Sequence, residues 1–366
     1  MTEVAEPTRR PAAIATPPTT DARSTDAPAR SRGGLDLRRV ARALSFRNIS
    51  AVYVFIVLFV IFSIWVPSTF LTGENWKALL SSQAETGILA VGLVVALAAG
   101  AFDLAIGATL GFGAILVAWL MVNKGFALVP GIALAILGGL VVGMLNGLLV
   151  VKARIDSFIA TLGMSSILLA MIAWISANTQ ILGLSNTFQK IATTEVFGIA
   201  LPVYIMIVVA IVVWYVLECT PVGRRVYATG GNIEAARLAG VRVSLVIVLA
   251  LATTGAIAAL SGVLVSSSLG VGDPTIGPPY LLPAFSAAFL GSTQFRGGRF
   301  NVWGTLLAVY VLATGVKGLQ LAGAPIWIPD LFNGVALLVA VGGAKYQGTA
   351  RRTAAIRRLL RFDRAR

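Results

Sequence analysis

The sequence predicts an all-α polytopic membrane protein of about ten transmembrane helices, N-in and C-in, with a short cytoplasmic helix in one inner connection. Three observations carry this. Of 366 residues, 57% are hydrophobic and only 12% charged, and the mean hydropathy is +0.87, more apolar surface than a soluble core of this length needs. Several apolar runs reach the ~18 residues that mark a membrane-spanning helix. The arginines between those runs fall on one side of the predicted membrane, as the positive-inside rule requires.

Taken in order, the chain has three parts. Residues 1 to 47 are rich in Pro, Ala, Thr and Arg and poor in bulky apolar residues, which predicts a disordered, basic cytoplasmic tail. The tail has no apolar signal-peptide region. Residues 48–346 form the transmembrane domain. Residues 347–366 are basic and amphipathic, a cytoplasmic tail suited to the membrane surface.

The ten spans read 51–67, 86–102, 104–122, 127–150, 158–178, 200–217, 243–267, 280–292, 302–321 and 328–344. The eighth, "LLPAFSAAFLGS", is too short to cross at ~1.5 Å per residue, so it is expected to be tilted, broken or re-entrant. With the N-terminus inside, the inner connections hold Lys152 and Arg154, then Arg224, Arg225, Arg237 and Arg242, then Arg296 and Arg299, then the basic tail. The outer ones hold Glu74 with Lys77, Lys124, Lys190 with Glu195, and Asp273. Most of the 38 glycines lie in or beside apolar runs, where small residues let helices approach closely.

Composition also excludes chemistry. The single cysteine, Cys219, rules out an internal disulfide framework. There is no histidine, which removes the commonest general base and zinc ligand, and no metal site is expected. No Gly-Lys pair occurs, so the chain has no phosphate loop of the G-x-x-x-x-G-K-[ST] type. The formal charge of +14 follows from tails and membrane topology and does not imply a nucleic-acid partner.

One polar stretch interrupts the apolar pattern: "RRVYATGGNIEAARLAGVR", residues 224–242. Gly230 and Gly231 break the chain. Asn232 is a good N-cap, Glu234 suits the positive end of a helix dipole, and Ala235, Ala236 and Leu238 favour helix. Gly240 is a natural terminator. A helix of about two turns is unstable alone in water, so this one must dock, either on its own protein or on a partner.

"GGNIEAARLAG" is similar to the cytoplasmic coupling loop of ABC-importer permeases, specifically of the ribose-type monosaccharide family. Three further stretches fall in that family's order. "LTGENWKALLSSQAETGILAVGLVVALAAGAFDLAIGATLG" resembles its segment ending Gly-Gly-Ile-Asp-Leu-Ser-Val-Gly. "GMLNGLLVVKARIDSFIATLGM" resembles its Asn-Gly-Leu and Phe-Ile-Ala-Thr-Leu-Gly segment. "AFLGSTQFRGGRFNVWGTLLA" resembles its Gly-Gly-Thr-x-x-x-Gly-Gly-x-Gly segment. The resemblance spans about residues 69 to 344. It departs at Ala101 and Phe102, which replace Gly and Ile before Asp103, at Ala105-Ile106 for Ser-Val, and at Asp156-Ser157 for Pro-Pro.

The resemblance implies a transport subunit of a bacterial plasma-membrane importer, with no enzymatic activity and no cofactor of its own. ATP and Mg²⁺ would bind a separate ATP-binding subunit, a second permease copy or paralogue would complete the path, and an extracytoplasmic solute-binding protein would deliver a sugar or polyol. Asn232, Glu234, Ala235, Ala236, Arg237, Leu238 and Gly240 would couple the permease to the ATPase. Glu234 and Arg237, at i and i+3, could pair with each other or with the ATPase.

Within the spans, Asp103 is the conspicuous acid. It could cap the third span by accepting the N–H of Ala105 or Ile106, or it could meet the cargo. Asn146 could bond a cargo hydroxyl or bridge two helices. Phe102, Phe158 and Trp174 could stack on a sugar face or simply pack. Two other classes compete. A branched-chain amino-acid permease shares the architecture, and an ion-coupled secondary transporter would need intramembrane ionisable groups, for which only Asp103 and Lys317 are prominent.

Overall fold

The computed structural model describes residues 50–293 and 298–342. Both predicted tails lie outside the described residues, as does Arg296. The described chain is almost wholly helical.

It begins with α1 (Ser50–Trp65) and a short α2 (Pro67–Phe70). Thr72 then caps α3 (Gly73–Ser82) by accepting the Asn75 N–H at 3.3 Å. α3 runs with little interruption into α4 (Ala84–Ala98), so Gly73–Ala98 forms one helical rod of 26 residues. There follow α5 (Ile106–Val122), α6 (Leu128–Val151) and α7 (Ser157–Ser176), the last capped by Asp156. α8 (Asn186–Thr193) and a two-residue hairpin, β1 (Glu195–Val196) with β2 (Ile199–Ala200), lead to α9 (Leu201–Cys219). α10 (Pro221–Gly231) and α11 (Ile233–Leu238) precede α12 (Val243–Leu269). A 3-10 turn (Pro278–Tyr280) opens α13 (Leu281–Ser292), and α14 (Val302–Leu321) and α15 (Ile328–Gly342) complete the bundle.

Among the described residues, six helical segments are long and apolar enough to cross a membrane, and three shorter apolar helices join them. The chain is therefore an all-α, multi-pass membrane protein. Each predicted span corresponds to a helix. The second differs most: its helix starts thirteen residues earlier than the apolar run suggested, in the polar α3, and stops at Ala98 rather than at 102.

Three elements were read as loops and are helical. α8 is polar on one side, but Phe188 on its other side is completely buried, and Ser267 of α12 donates a hydroxyl hydrogen bond to the Phe188 carbonyl at 2.6 Å. α10 carries Thr220 as N-cap and Pro221 in its first turn, signals that its paired terminal glycines obscured. α3 is amphipathic rather than apolar. The eighth span is shortened as expected. α13 has 12 residues, and Gly277 just before it lies against Gly107 and Gly111, so non-helical backbone runs down beside α5 before α13 begins. Protein covers that backbone, as an irregular segment at membrane depth requires.

α4 and α12 are the centre. Every residue of α4 is buried, and α12 packs along α6, α5 and α4. The α6–α12 contact depends on close backbone approach: a Cβ added to Gly143 would strike the carbonyl of Leu251. At the bundle end away from α11, Gln180 donates to Asp273 at 2.8 Å, and Thr275 donates to the same carboxylate from its N–H at 2.8 Å and its hydroxyl at 2.7 Å. Those donors hold the Asp273 carboxyl below the usual range.

Gly143→Leu should force α6 from α12 and cost about 1–3 kcal/mol or more, as overpacking does. Gly334→Ala, with no atom within 4 Å of the added methyl, should change little. Thermal unfolding of the purified variants in detergent checks the contrast.

Candidate functional site

The site is built around the interruption between α4 and α5. The chain leaves α4 at Ala98, turns through Gly100 at φ +81°, and resumes helix at Ile106. Backbone groups freed there need partners, and side chains supply them. Ser157 Oγ accepts the Phe102 N–H at 3.1 Å, Thr161 Oγ1 accepts the Leu104 N–H at 3.0 Å, and Asp103 Oδ1 accepts the Ala105 N–H at 3.1 Å. Thr161 in turn donates to the Ser157 carbonyl at 2.7 Å. The first turn of α7 is thus fastened to the break. Asp103, 1% exposed, makes the capping bond that its position predicted.

Phe102 and Phe158 flank this stitching and stay open, 40% and 50% exposed. Trp174 does not join them. It lies sixteen residues along α7 from Phe158, roughly 24 Å at 1.5 Å per residue, and is 81% exposed.

Asn146 on α6 is 1% exposed, and neither its Oδ1 nor its Nδ2 has a partner among the described residues. One turn before it, Val142 packs in the cluster that contains Ala105, and one turn after it, Val150 packs against Ala96, Ala101 and Leu251. Asn146 therefore sits on the face of α6 that covers the break.

The opposite flank of the break meets α10. A Cβ on Gly230 would collide with the Ala98 carbonyl, so glycine is needed for this approach. α10 is held from its other side as well: Tyr227 donates to the Phe300 carbonyl at 2.9 Å, and the Arg299 guanidinium lies 3.4 Å from the Tyr227 ring centre. α11 follows directly. Asn232 is its N-cap, accepting the Ala235 N–H at 3.0 Å, and Gly240 turns the chain at φ +79°. Glu234 and Arg237 pair with each other at 2.9 Å on the exposed face.

Two residues of α11 divide its labour. Ala236 is buried against its own chain, so it seats the helix and presents no surface to a partner. Leu238 is 89% exposed, an apolar knob that the other described residues leave uncovered.

Sequence reasoning missed a polar cavity at the other end of α4. It has a volume of about 310 Å³, and its lining includes Gln83, Thr86, Tyr280, Lys317, Gln320 and Asn333. These residues are scattered over four elements, so no local motif announced them. Hydroxyl, amide, phenol and ammonium groups among lining residues that also include Leu79, Val309 and Leu312 suit a polyhydroxylated solute.

The family described as branched-chain amino acid transport system / permease component matches residues 75–341. The chain belongs to that family. This permease is 36% identical to the ribose import permease protein RbsC of Bacillus subtilis over 287 residues, covering 78% of this chain and 88% of that protein. It is 33% identical to the L-arabinose ABC transporter permease protein AraH of Azospirillum brasilense over 327 residues, 89% of this chain and 94% of that one. It is 27% identical to the D-allose transport system permease protein AlsC of Escherichia coli over 303 residues, 82% and 92% respectively. No solved structure matches significantly. As a member of this family the permease is a transport component and not an enzyme.

Asp103→Asn keeps an oxygen that can accept the Ala105 N–H, so stability and uptake should stay near wild type. Asp103→Leu should lose the cap, worth ~1 kcal/mol, and leave the break's N–H unpaired, lowering both together. Uptake and detergent melting temperature at matched membrane levels check this, and an Asn variant of native stability without uptake would make the carboxylate a direct contact of the cargo.

Proposed function

We propose that this chain is the membrane-spanning permease of an ATP-driven sugar importer in the bacterial plasma membrane. The carrying observation is geometric: Gly230, at the foot of α11, packs directly on the α4–α5 break. A push on α11 therefore reaches the one discontinuity of the most enclosed helix through a single contact.

The cargo class comes from the relatives. Those named above are permeases for ribose, L-arabinose and D-allose, and a further one imports autoinducer 2. A branched-chain amino-acid cargo rests on the family description alone. An ion-coupled mechanism has little support, because Asp103 already serves the backbone of its own turn.

The membrane reading is ten spans, N-in and C-in. The break, α10, α11 and the starts of α7, α12 and α14 lie at one end of the bundle. Arg154, Arg224, Arg225, Arg237, Arg242 and Arg299 all belong to that end, and no described arginine lies at the other. By the positive-inside rule that end is cytoplasmic. The partners are an ATP-binding subunit, which holds ATP and Mg²⁺, beneath α11, an extracytoplasmic binding protein above the polar cavity, and a second permease beside this one. ATP-driven closure of the ATPase moves α11 and α10, and α10 moves the break.

On this reading Leu238 enters a cleft of the ATPase. Leu238→Asp combined with Glu234→Lys should cut uptake about tenfold or more, from the loss of one buried leucine and reversal of a charge, without lowering the amount in the membrane. Wild-type uptake by the well-expressed double variant refutes the coupling role. Uptake of labelled ribose, arabinose and leucine by the intact importer separates the cargo classes.

A further inference from the structure

A groove outside the proposed path runs between α9, α10 and α12, with Val95 of α4 at its floor. Its volume is about 740 Å³. Its walls extend from Val208 to Leu217 on α9 and from Arg242 to Ile257 beside α12, so it is elongated along the helices over roughly 14–22 Å at 1.5 Å per residue. Nearly all of the lining is aliphatic. Val208, Val212 and Leu249 on its rim are more than half exposed, so the groove opens outward.

The two ends differ. Arg225 and Arg242 line the end shared by the C-terminus of α9 and the start of α12. Both are exposed, neither is in an ion pair among the described residues, and no carboxylate lines the groove. Along the rest there is only Thr253 to interrupt the hydrocarbon. A site with one cationic end and a long apolar body fits an amphiphile with an anionic head.

We infer that this groove holds an anionic phospholipid, with an acyl chain along α9 and α12 and its phosphate between Arg225 and Arg242. Charge decides among occupants. A sugar has nothing to bond along aliphatic walls. The chain's own tails are basic, with Arg38, Arg39, Arg42 and Arg47 before the first span and an arginine-rich C-terminus, and so repel the two arginines. The bilayer supplies both the hydrocarbon and the phosphate, and the arginines stand at the cytoplasmic headgroup level proposed above. Arg225 stands on α10 and Arg242 directly before α12, so one phosphate would clamp together the elements on either side of α11.

The test uses the purified full-length permease in detergent, titrated with phosphatidylglycerol or phosphatidylcholine. Retained lipid is read by native mass spectrometry and stability by thermal unfolding. Phosphatidylglycerol should be retained and raise the melting temperature, phosphatidylcholine much less, and inorganic phosphate alone not at all. Arg225→Gln with Arg242→Gln should weaken phosphatidylglycerol retention roughly 30-fold, at about tenfold per 1.4 kcal/mol, while melting as wild type does without lipid. Leu249→Trp, which fills the groove, should displace the lipid with both arginines intact. Equal retention of the two lipids, or unchanged preference in the double variant, overturns the proposal. Conversion of a dimer to a monomer by Leu249→Trp with lipid retention unchanged also overturns it, by making the groove a contact between copies.

Discussion

In hydrocarbon every backbone N–H and C=O must find a partner within the protein, and the fold is organised around the one place where the most enclosed helix fails to provide them. α4 is buried on all sides and stops at Ala98. The next helical residue is Ile106. An unpaired amide in that interval would cost several kcal/mol. The hydroxyls of Ser157 and Thr161 and the carboxylate of Asp103 remove that cost, and in doing so they fix the start of α7 against the break. On the other flank the backbone of α10 touches the break at Gly230. The break is thus held between the start of α7 on one flank and the backbone of α10 on the other.

Asn146 is the exception within this economy. It is buried without a partner over the same break, where an unsatisfied amide costs about 1–3 kcal/mol. Polar groups left unpaired in a closely packed helix pair are expensive to keep, and this one is flanked by Val142 and Val150, which pack on residues at either edge of the interruption. The stability cost is therefore concentrated at the point of least regular backbone rather than spread through α6.

What the sequence made legible follows from range. Apolar run length and arginine placement are local properties, and every predicted span corresponds to a helix. The cap at Asp103 and the N-cap at Asn232 were also readable, because each acts over two or three residues. The misses have a shared cause. α3 and α8 bury one side under other helices while their composition is polar, so hydropathy alone hides them. Ala236 looked like a surface because alanine is small, but its side chain faces inward, and only packing reveals that Leu238 is the exposed neighbour. Trp174 and Phe158 share a helix and an aromatic character, yet their distance along α7 separates them. The polar cavity gathers Gln83, Tyr280, Lys317 and Asn333 from distant segments, which no local pattern can assemble.

The departures from the sugar-permease pattern can now be sorted by what they touch. Ala101 is buried in a small cluster with Ala96 and Leu251, so the extra methyl over glycine is taken up by packing. Ala105 is the N-cap of α5 and brings no hydroxyl to the task, where the family pattern has serine. Asp103, which the pattern shares, accepts the Ala105 N–H. Ser157, at a position where the pattern has proline, contributes the hydroxyl that accepts the Phe102 N–H. Ala101 and Ser157 are thus accommodated at the break by packing and by one hydrogen bond respectively. Phe102 is different: it is partly exposed, and it replaces a smaller aliphatic residue. With the exposed Asp156, which stands where the pattern has proline, it alters the surface beside the break rather than its packing.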